Sequence, residues 1–493
     1  MSRRRRTSSG LDRREFLQAA AAAGGVLPLA NVVAVTAADP KSPEIHQATG
    51  VKVGEVTATS ARIWTRLTKS SARNNGGKVY PGTVKKGQRI TVDVPTSEIE
   101  GACPGANGRI RIGYAEGSRL HDVRHTEWID VDSATDHSQQ FVLEGLKPAM
   151  EYHYGVETTT TADQPSHLPL SGKFTTAPLA DAPSKLKFCV MTCQGYPDRD
   201  HADGHPIYPS MQKLAPQFIA MTGDLVYYDN DEPRAVSEEL ARLHWERMFS
   251  LPRLVECLRS TATYWLKDDH DTLVNDSWPG RREGRLTFAA GQKIFREQVP
   301  LGDAGYRTFR WGRDLQIWLT DGRDFRSPNT MPDGPEKTIW GADQKAWFQR
   351  TVKESHATWK VLISPTPLVG PDRKNKKDNH SNEGFAHEGN ELRAWLHDNV
   401  PDNFFVLCGD RHWQYHSVHP ETGVQEFSVG PASNSHAGGT PGEDPRYHKF
   451  HRVKGGFLSV TLDGEASGSK ITLRHHDVEG EVVYEYSAKR SVS

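Results

Sequence analysis

In QFIAMTGDLVYYD, residues 217–229, a short apolar run gives way to glycine, aspartate and tyrosine. An apolar run of this length is typical of a buried strand, and the polar residues behind it are typical of the turn at its end. Similar runs alternate with helical patterns at Ser237–Met248, Ala342–Glu354 and Gly389–Asn399. Because strands alternate with helices, we predict an α/β domain over residues 185–493.

The change from apolar strand to ligand-type residues occurs five times in this domain. The five endings are Thr192-Cys193-Gln194, Gly223-Asp224 with Tyr227, Asp268-Asp269-His270-Asp271 with Asn275, Asp321-Gly322-Arg323, and Gly409-Asp410-Arg411-His412. A single Gly-Asp ending is typical of an ordinary turn. In open α/β sheets, however, ligands bind outside the carboxyl ends of the strands. Carboxylates gathered there repel one another unless protonation or a cation relieves them, so five endings predict a metal site.

These motifs, in this order, resemble those of the PhoD-type alkaline phosphatases. That family belongs to the calcineurin-like metallophosphoesterases and is related to purple acid phosphatases. The resemblance implies a metallophosphoesterase sandwich, in which helices flank two β-sheets, and a phosphoric ester hydrolase that uses a metal-activated hydroxide. Two segments depart from the family pattern without removing a ligand: Met-Thr-Cys-Gln at 191–194, and Thr-Leu-Val at 272–274.

The resemblance also implies a role for each matching residue. The implied metal ligands are Cys193, Asp224, Tyr227, Asn275, Asp410 and His412. The implied catalytic residues are Asp224, His270 and Arg323, and the implied substrate contacts are Gln194, Arg323 and Arg411. Because the family uses iron with calcium, Fe³⁺ and Ca²⁺, or another divalent ion, are the expected cofactors. Thiolate and phenolate donors suit ferric iron, and carboxylate and amide oxygens suit a hard divalent ion.

Other chemistry-bearing residues have ordinary interpretations. Cys189 and Cys408 lie within apolar runs and are predicted to be core residues. The basic run at 373–377 is typical of a solvated loop, or it attracts an anionic substrate. Three histidines in polar, loop-like sequence are predicted to lie at the surface, unless one lines the substrate pocket: His380, His387 and His436.

Residues 41–180 are predicted to be all-β. Val51–Val56, Ala61–Arg66 and Arg109–Tyr114 alternate with the period of a strand. Residues 143–154 resemble the turn and tyrosine strand of fibronectin type III modules, so we predict an immunoglobulin-like or fibronectin III-like sandwich. Residues 69–108 are rich in glycine, lysine and asparagine and predict an insertion or a long loop. The tail from Gly456 returns to strands, which are predicted to complete a sheet of the second domain.

The first 38 residues are predicted to form a twin-arginine export signal. Arg13-Arg14 is followed by Glu15-Phe16-Leu17 and then by an alanine-rich stretch. Pro28 and Asn31 interrupt that stretch, which favours a cleaved signal over a membrane anchor. We therefore expect export by the Tat translocase to the periplasm or the exterior, and no membrane span in the mature protein. Of the five cysteines, at least one stays unpaired within a monomer.

The main hypothesis is an exported phosphoester hydrolase whose substrate is a phosphate monoester, a diester or both. The net charge of −1 gives no indication of a nucleic-acid-binding surface. Two alternatives are a non-catalytic exported binding protein and a hydrolase of a non-phosphate ester on the same scaffold. Because all six predicted ligands are intact, the sequence favours the enzyme.

Overall fold

The computed structural model describes residues 45–82, 84, 88, 90–117, 122–160 and 170–491. The predicted export signal at residues 1–38 lies outside this part of the chain. Among the described residues, no helix combines the length and apolar character needed to cross a membrane.

The larger of two central sheets has nine strands in the described part of the chain. From one edge to the other they are β23 (Val482–Ser491), β22 (Gly468–His476), β21 (Phe457–Glu465), β9 (Lys185–Met191), β10 (Phe218–Thr222), β11 (Ala262–Leu266), β1 (Val51–Gly54), β2 (Ala61–Arg66) and β6 (Ser138–Leu143). β9, β10 and β11 are parallel, and β21 pairs with β9 in the antiparallel direction. The prediction that the C-terminal strands complete a sheet of the second domain is therefore confirmed.

The second central sheet packs against the first. Its described strands, in order, are β14 (Arg307–Trp311), β15 (Leu315–Leu319), β16 (Trp359–Ser364), β17 (Phe404–Cys408), β19 (Gln425–Val429), β18 (Gln414–Val418) and β20 (His448–Arg452). One hydrophobic core joins the two sheets, and within it the rings of Phe218 and Trp311 lie 5.0 Å apart.

Helices cover the outer faces of both sheets. Along β9 and β10, alternate side chains such as Phe188 and Phe218 face the other sheet, whereas Met191 and Met221 face the helices. Because both faces are buried, these strands have continuous apolar sequences. The predicted arrangement of two sheets flanked by helices is confirmed. The helices are α1 (Ile207–Lys213), α2 (Glu238–Phe249), α3 (Pro252–Leu258) and α4 (Phe288–Gln298) on the first sheet, and α5 (Gly341–Glu354) and α6 (Ala386–Asn399) on the second.

The N-terminal part of the chain supplies a further, smaller sheet. Its strands are β4 (Arg124–His125), β3 (Gly108–Glu116), β7 (Glu151–Thr159) and β8 (Leu170–Thr175), and β5 (Ile129–Val131) also pairs with β3. A short hairpin, β12 (Arg282–Glu283) and β13 (Leu286–Thr287), precedes α4. The assignment of this N-terminal region to an immunoglobulin or fibronectin III fold stays a prediction.

Strand β1 connects the N-terminal part of the chain to the central sheet. It pairs in parallel with β11, with Gly54 opposite Thr263, and the Glu55 N–H donates to the Thr263 carbonyl at 3.0 Å. Trp64 Nε1 adds a hydrogen bond to the Glu297 carbonyl at 2.8 Å. The sheet therefore runs across the predicted boundary near residue 180, and the division into domains 41–180 and 185–493 stays a prediction.

The described residues of the segment 69–108 lie against the second half of the chain. They contain one short 3₁₀ helix, Thr96–Glu98. Thr96 Oγ1 donates to Glu239 at 2.6 Å, and Tyr196 Oη donates to Glu100 at 2.8 Å. This segment therefore contacts both α2 and the loop that follows β9.

Glu388 on α6 is expected to stabilise the fold at neutral pH and to lose this contribution in acid. Its buried carboxylate accepts hydrogen bonds from Thr338 Oγ1, from the Ile339 N–H at 2.6 Å and from His380 Nε2 at 2.9 Å. Burial opposes the charge, but these partners outweigh it and lower the pKa of Glu388 from 4.5 to about 2. Because the folded pKa lies below the unfolded one, the stabilisation is complete above about pH 4.5 and is lost as the pH falls towards 2.

Glu388→Gln is therefore expected to lower the free energy of unfolding by roughly 3 kcal/mol at pH 7. The deficit should shrink when urea unfolding is repeated at pH 3. Glu391→Gln is the matched control on the same helix. Glu391 pairs with Lys345 at the surface, so this change should cost less than about 1 kcal/mol. A deficit of equal size at both pH values would contradict the assignment.

Candidate metal centre

Three residues of the candidate site occupy the same position relative to their strands. Cys193, Asp224 and Asp410 each lie two residues beyond the end of β9, β10 or β17. Their φ angles are 49°, 54° and 62°, in the left-handed region. Residues other than glycine rarely adopt this conformation, and the strain it stores is concentrated at functional sites. The three turns thus hold these side chains at one edge of the paired sheets.

Gly409 allows the turn after β17 to approach the turns of the other sheet. A Cβ atom at residue 409 would lie 2.6 Å from Thr222 Oγ1 and 2.7 Å from Thr192 Oγ1. Only glycine fits between these hydroxyl groups without displacing them. The glycine before Asp410 therefore serves the close packing of the strand ends.

The side chains beyond these strand ends meet in one cluster. Cys193 Sγ lies 3.5 Å from Asp224 Oδ2. Asp224 belongs to each of three groups of potential ligand atoms, as expected of a carboxylate shared between two cations. The groups, whose ligand atoms lie within 4.8 Å of one another, are Cys193, Asp224 and His412; Asp224, Asp269 and His270; and Asp224, Asp268 and Asp410.

Tyr227 joins this cluster through His412. Its Oη lies 3.4 Å from His412 Nε2 and 2.9 Å from His436 Nε2. The His412 and His436 rings are 4.3 Å apart, and His436 Nδ1 lies 2.8 Å from Asp198 Oδ2. The structure thus brings together Tyr227 and His412, two of the ligands that the family resemblance implies.

His270 also packs against Tyr227, with the two rings 4.4 Å apart. Its Nδ1 is 2.6 Å from Asp229 Oδ1. The other oxygen of Asp229 accepts the backbone N–H of Asn275 at 2.8 Å. Asn275 itself is exposed, and this backbone contact connects it to the cluster. Ligation by its side-chain amide stays a prediction.

Burial dominates the electrostatics of the potential ligands. It raises the pKa of Asp224 well above its usual range, with His270 opposing the shift and Asp269 adding to it. Burial and then the Asp224 charge raise the pKa of the Cys193 thiol. Burial and then Cys193 raise the pKa of the Tyr227 phenol. In the protein alone, these three groups therefore favour their protonated forms.

The two central histidines are shifted in opposite directions. Burial, and then the charges of His436 and His270, lower the pKa of His412 well below its usual value. A neutral imidazole of this kind is the form that ligates metals. Burial would also lower the pKa of His270, but the carboxylates of Asp229, Asp269 and Asp224 outweigh burial and raise that pKa. In the protein alone, His270 therefore favours its protonated form.

The donor set fits bound metal. Asp224 Oδ1 is buried and, among the described residues, makes no hydrogen bond. A cation placed among these atoms would reverse the pKa shifts of the thiol, phenol and carboxylate, because metal binding favours their deprotonated forms. Thiolate, phenolate and imidazole suit a transition metal, and the neighbouring carboxylates also suit a hard divalent ion.

A sequence model of the PhoD-like phosphatases matches residues 188–456, and a model of the N-terminal domain of those proteins matches residues 33–178. The first match alone spans more than half of the chain. The chain belongs to the PhoD-like phosphatase family. Membership makes it a phosphatase-type hydrolase, and the predicted resemblance is confirmed.

Solved structures of PhoD-like and related phosphatases share the fold. A structure of PhoD superimposes with a TM-score of 0.67 at 18% identity and covers 93% of this chain and 94% of that chain. Purple acid phosphatase PPD1 from yellow lupin (Lupinus luteus) seeds gives a TM-score of 0.60 at 12% identity and covers 89% of this chain and 73% of that chain. No curated protein sequence is significantly similar to this one.

The predicted substrate contacts of this PhoD-like phosphatase are engaged by the protein itself. Arg323 is fully buried, and its Nε donates to Asp268 Oδ1 at 2.5 Å. Arg411 is also fully buried and pairs with Asp372 and Asp410. Both arginines therefore position carboxylates of the cluster in this structure, and direct contact with substrate stays a prediction for each.

Gln194 is buried as well. Its amide Nε2 donates to the Leu225 carbonyl at 3.1 Å, and its Oε1 accepts from Tyr208 Oη at 2.6 Å. The first bond connects the turn after β9 to the turn after β10, and the second connects it to α1. The structure thus shows a tie between two ligand-bearing turns, and a substrate contact by Gln194 stays a prediction.

Three histidines have the same polar, loop-like sequence context, but their positions in the structure differ. His387 is exposed, as predicted. His380 is not at the surface but is 1% exposed against Glu388, because α6 packs over it. His436 lies at the cluster beside Tyr227. Asp268 and Asp269 belong to the acidic ending that the sequence indicated, with Asp269 expected beside the ligands or the phosphate, whereas Asp229, seven residues beyond β10, had no predicted role.

Proposed function

We propose that the protein is an exported alkaline phosphatase that hydrolyses phosphate monoesters, diesters or both with Fe³⁺ and Ca²⁺. One observation carries the proposal: the convergence of Cys193, Asp224 and His412, with Tyr227 beside them. Such a mixed thiol, carboxylate, imidazole and phenol set suits iron better than it suits magnesium or calcium alone. The neighbouring carboxylates and Asn275 suit the calcium ion.

When bound, the metal ions supply an acidified water as nucleophile and positive charge for the phosphate oxygens. The chain's own residues hold that arrangement. Asp224 offers one oxygen toward Cys193 and leaves the other without a hydrogen bond among the described residues. The strained turns at Cys193, Asp224 and Asp410 fix the ligands before substrate arrives, so little reorganisation is needed.

His270 is the group placed for proton transfer, and His436 is placed to orient the Tyr227 phenol. Asp229 holds His270 Nδ1, which leaves Nε2 as the nitrogen for donating a proton to a leaving oxygen. Asp198 holds His436 Nδ1, so its Nε2 points to Tyr227 Oη. In both pairs a carboxylate fixes the orientation of an imidazole, as acid–base catalysis requires.

We infer that the enzyme acts outside the cytoplasm. The paired arginines and the alanine-rich stretch of residues 13–30 support transport by the Tat translocase to the periplasm or beyond. This route carries folded proteins and allows metal to be inserted before export. A fusion of residues 1–38 to a reporter that matures only when folded should be exported, and replacement of Arg13 and Arg14 by lysine should retain it inside the cell.

Metal content and substrate range test the proposal together. Elemental analysis of the purified protein should find iron and calcium. A panel of chromogenic phosphate monoesters and diesters should be hydrolysed, and carboxylic esters should not. Removing the metals with a chelator should abolish hydrolysis, and adding iron and calcium should restore it. Correctly folded, metal-free protein, or hydrolysis confined to non-phosphate esters, would overturn the proposal.

A further inference from the structure

A third arginine, Arg373, lies beside Trp413, the neighbour of His412, and is partly exposed. Arg373 begins the basic run at 373–377, and its side chain is 36% exposed. Its guanidinium carbon lies 5.9 Å from the centre of the Trp413 ring, next in sequence to His412. Its Nη1 also lies close to Gly439: a Cβ atom added to that glycine would be 3.3 Å from Nη1.

The position of Arg373 is set by a chain of ion pairs. Asp372 Oδ1 accepts the backbone N–H of Arg373 at 2.7 Å and lies 3.3 Å from its Nε. Asp372 Oδ2 lies 2.5 Å from Arg411 Nη1, and Arg411 in turn pairs with Asp410. The Asp372 carboxylate thus connects Arg373 to the residue between the predicted ligands Asp410 and His412.

The same loop reaches the other side of the cluster. Lys376 Nζ lies 3.0 Å from Asp276 Oδ1 and 2.9 Å from Asp378 Oδ2. Asp276 is the neighbour of Asn275. The loop is therefore anchored beside both groups of predicted ligands, and its Arg373 end stays next to them.

Arg373 differs from Arg323 and Arg411 in its exposure. The two buried arginines pair with carboxylates, although Arg323 Nη2 and all three guanidinium nitrogens of Arg411 have no hydrogen-bond acceptor among the described residues. Arg373 is 36% exposed, and within the described part of the chain its guanidinium makes one hydrogen bond, from Nε to Asp372 Oδ1. An arginine with two free, coplanar donors matches two oxygens of a phosphate group.

We propose that Arg373 binds the phosphate oxygens of the substrate and favours terminal phosphate groups over diesters. The inference rests on the proposed phosphatase function. A monoester dianion carries two negative charges and has oxygens free of alkyl groups, so it gains more from this cation than a singly charged diester does. Asp372 and the Trp413 ring hold the guanidinium in place, which reduces the entropy lost on binding.

Arg373→Met tests the inference, because methionine retains an unbranched chain and removes the charge. The KM for a phosphate monoester and the inhibition constant for inorganic phosphate should both rise by about 10- to 100-fold. The KM for a phosphate diester should rise less. Arg373→Lys should recover part of the loss. Lys374→Met removes the same charge from the exposed neighbour and should change neither constant by more than about twofold.

Iron and calcium contents measured on each variant separate substrate binding from a structural effect. The inference requires Arg373→Met to keep the metals of the unaltered protein. Unchanged KM and phosphate inhibition, or weakening that is accompanied by metal loss, would overturn it. If the unaltered protein hydrolyses no phosphate ester, the proposed function fails instead, and inorganic phosphate binding then tests Arg373 independently.

Discussion

Asp224→Asn is expected to reduce phosphate ester hydrolysis by about 10³-fold or more. Asp224 belongs to all three groups of potential ligand atoms, so its charge supports both proposed cations. Asparagine has almost the same shape but carries no charge and offers only one oxygen. The purified variant should therefore also contain less iron and calcium than the unaltered protein.

The fold of this variant is expected to survive. Burial and nearby carboxylates raise the pKa of Asp224, so its ionisation opposes folding at neutral pH in the absence of metal. A neutral amide removes that cost, and metal-free Asp224→Asn should unfold at the same denaturant concentration as the metal-free parent, or at a higher one. This behaviour is typical of residues that serve function at the expense of stability.

Asp130→Asn is the matched control for the chemistry. This substitution removes the same charge at the surface, where the Asp130 side chain is 84% exposed beside Arg109. The Asp130→Asn variant should retain full activity and full metal content. An Asp224→Asn protein that hydrolyses phosphate esters at the parental rate would remove Asp224 from the centre of the site.

Tyr227→Phe is expected to abolish a visible absorption band. If Tyr227 binds ferric iron as a phenolate, charge transfer from the ring to the metal should colour the purified protein. Tyr227 Oη lies 3.4 Å from His412 Nε2, so both groups reach the same position. Phenylalanine preserves the ring and removes only the oxygen, and the band should disappear even where some iron remains bound.

Tyr228→Phe supplies the control from the adjacent residue. Tyr228 is also buried, but its Oη accepts a hydrogen bond from Trp245 Nε1 at 2.7 Å, within the helical layer. Its removal should leave the visible spectrum unchanged and lower stability by about 1 kcal/mol. A band that persists in Tyr227→Phe, or that is lost in Tyr228→Phe, would show that the phenolate is misassigned.

Local patterns were sufficient for much of the fold. The helix predicted at Ala342–Glu354 occurs as Gly341–Glu354, and Ser237 precedes α2 with its side chain accepting the Leu240 N–H. These features depend on periodicity and capping, which neighbouring residues determine. The sequence also predicted the strand ends that carry the candidate ligands, because each apolar run stops abruptly at a polar residue.

Long-range contacts account for what the sequence did not reveal. An arginine after a strand has the same local pattern whether it faces substrate or, like Arg323, a buried Asp268. His436 resembles a surface histidine until residues more than 200 positions earlier, Asp198 and Tyr227, approach it. The pairing of β1 with β11 likewise follows from assembly of the whole molecule.

The pairing of Gly54 with Thr263 has a consequence for synthesis on the ribosome. The partner of β1 emerges about 200 residues later, which at elongation rates of about 5–20 residues per second is a delay of roughly 10 to 40 s. During that time one side of β1 presents unpaired backbone amides to other nascent chains. Chaperones that shield this segment until β11 has emerged should therefore raise the yield of folded enzyme, and slower elongation without them should lower it.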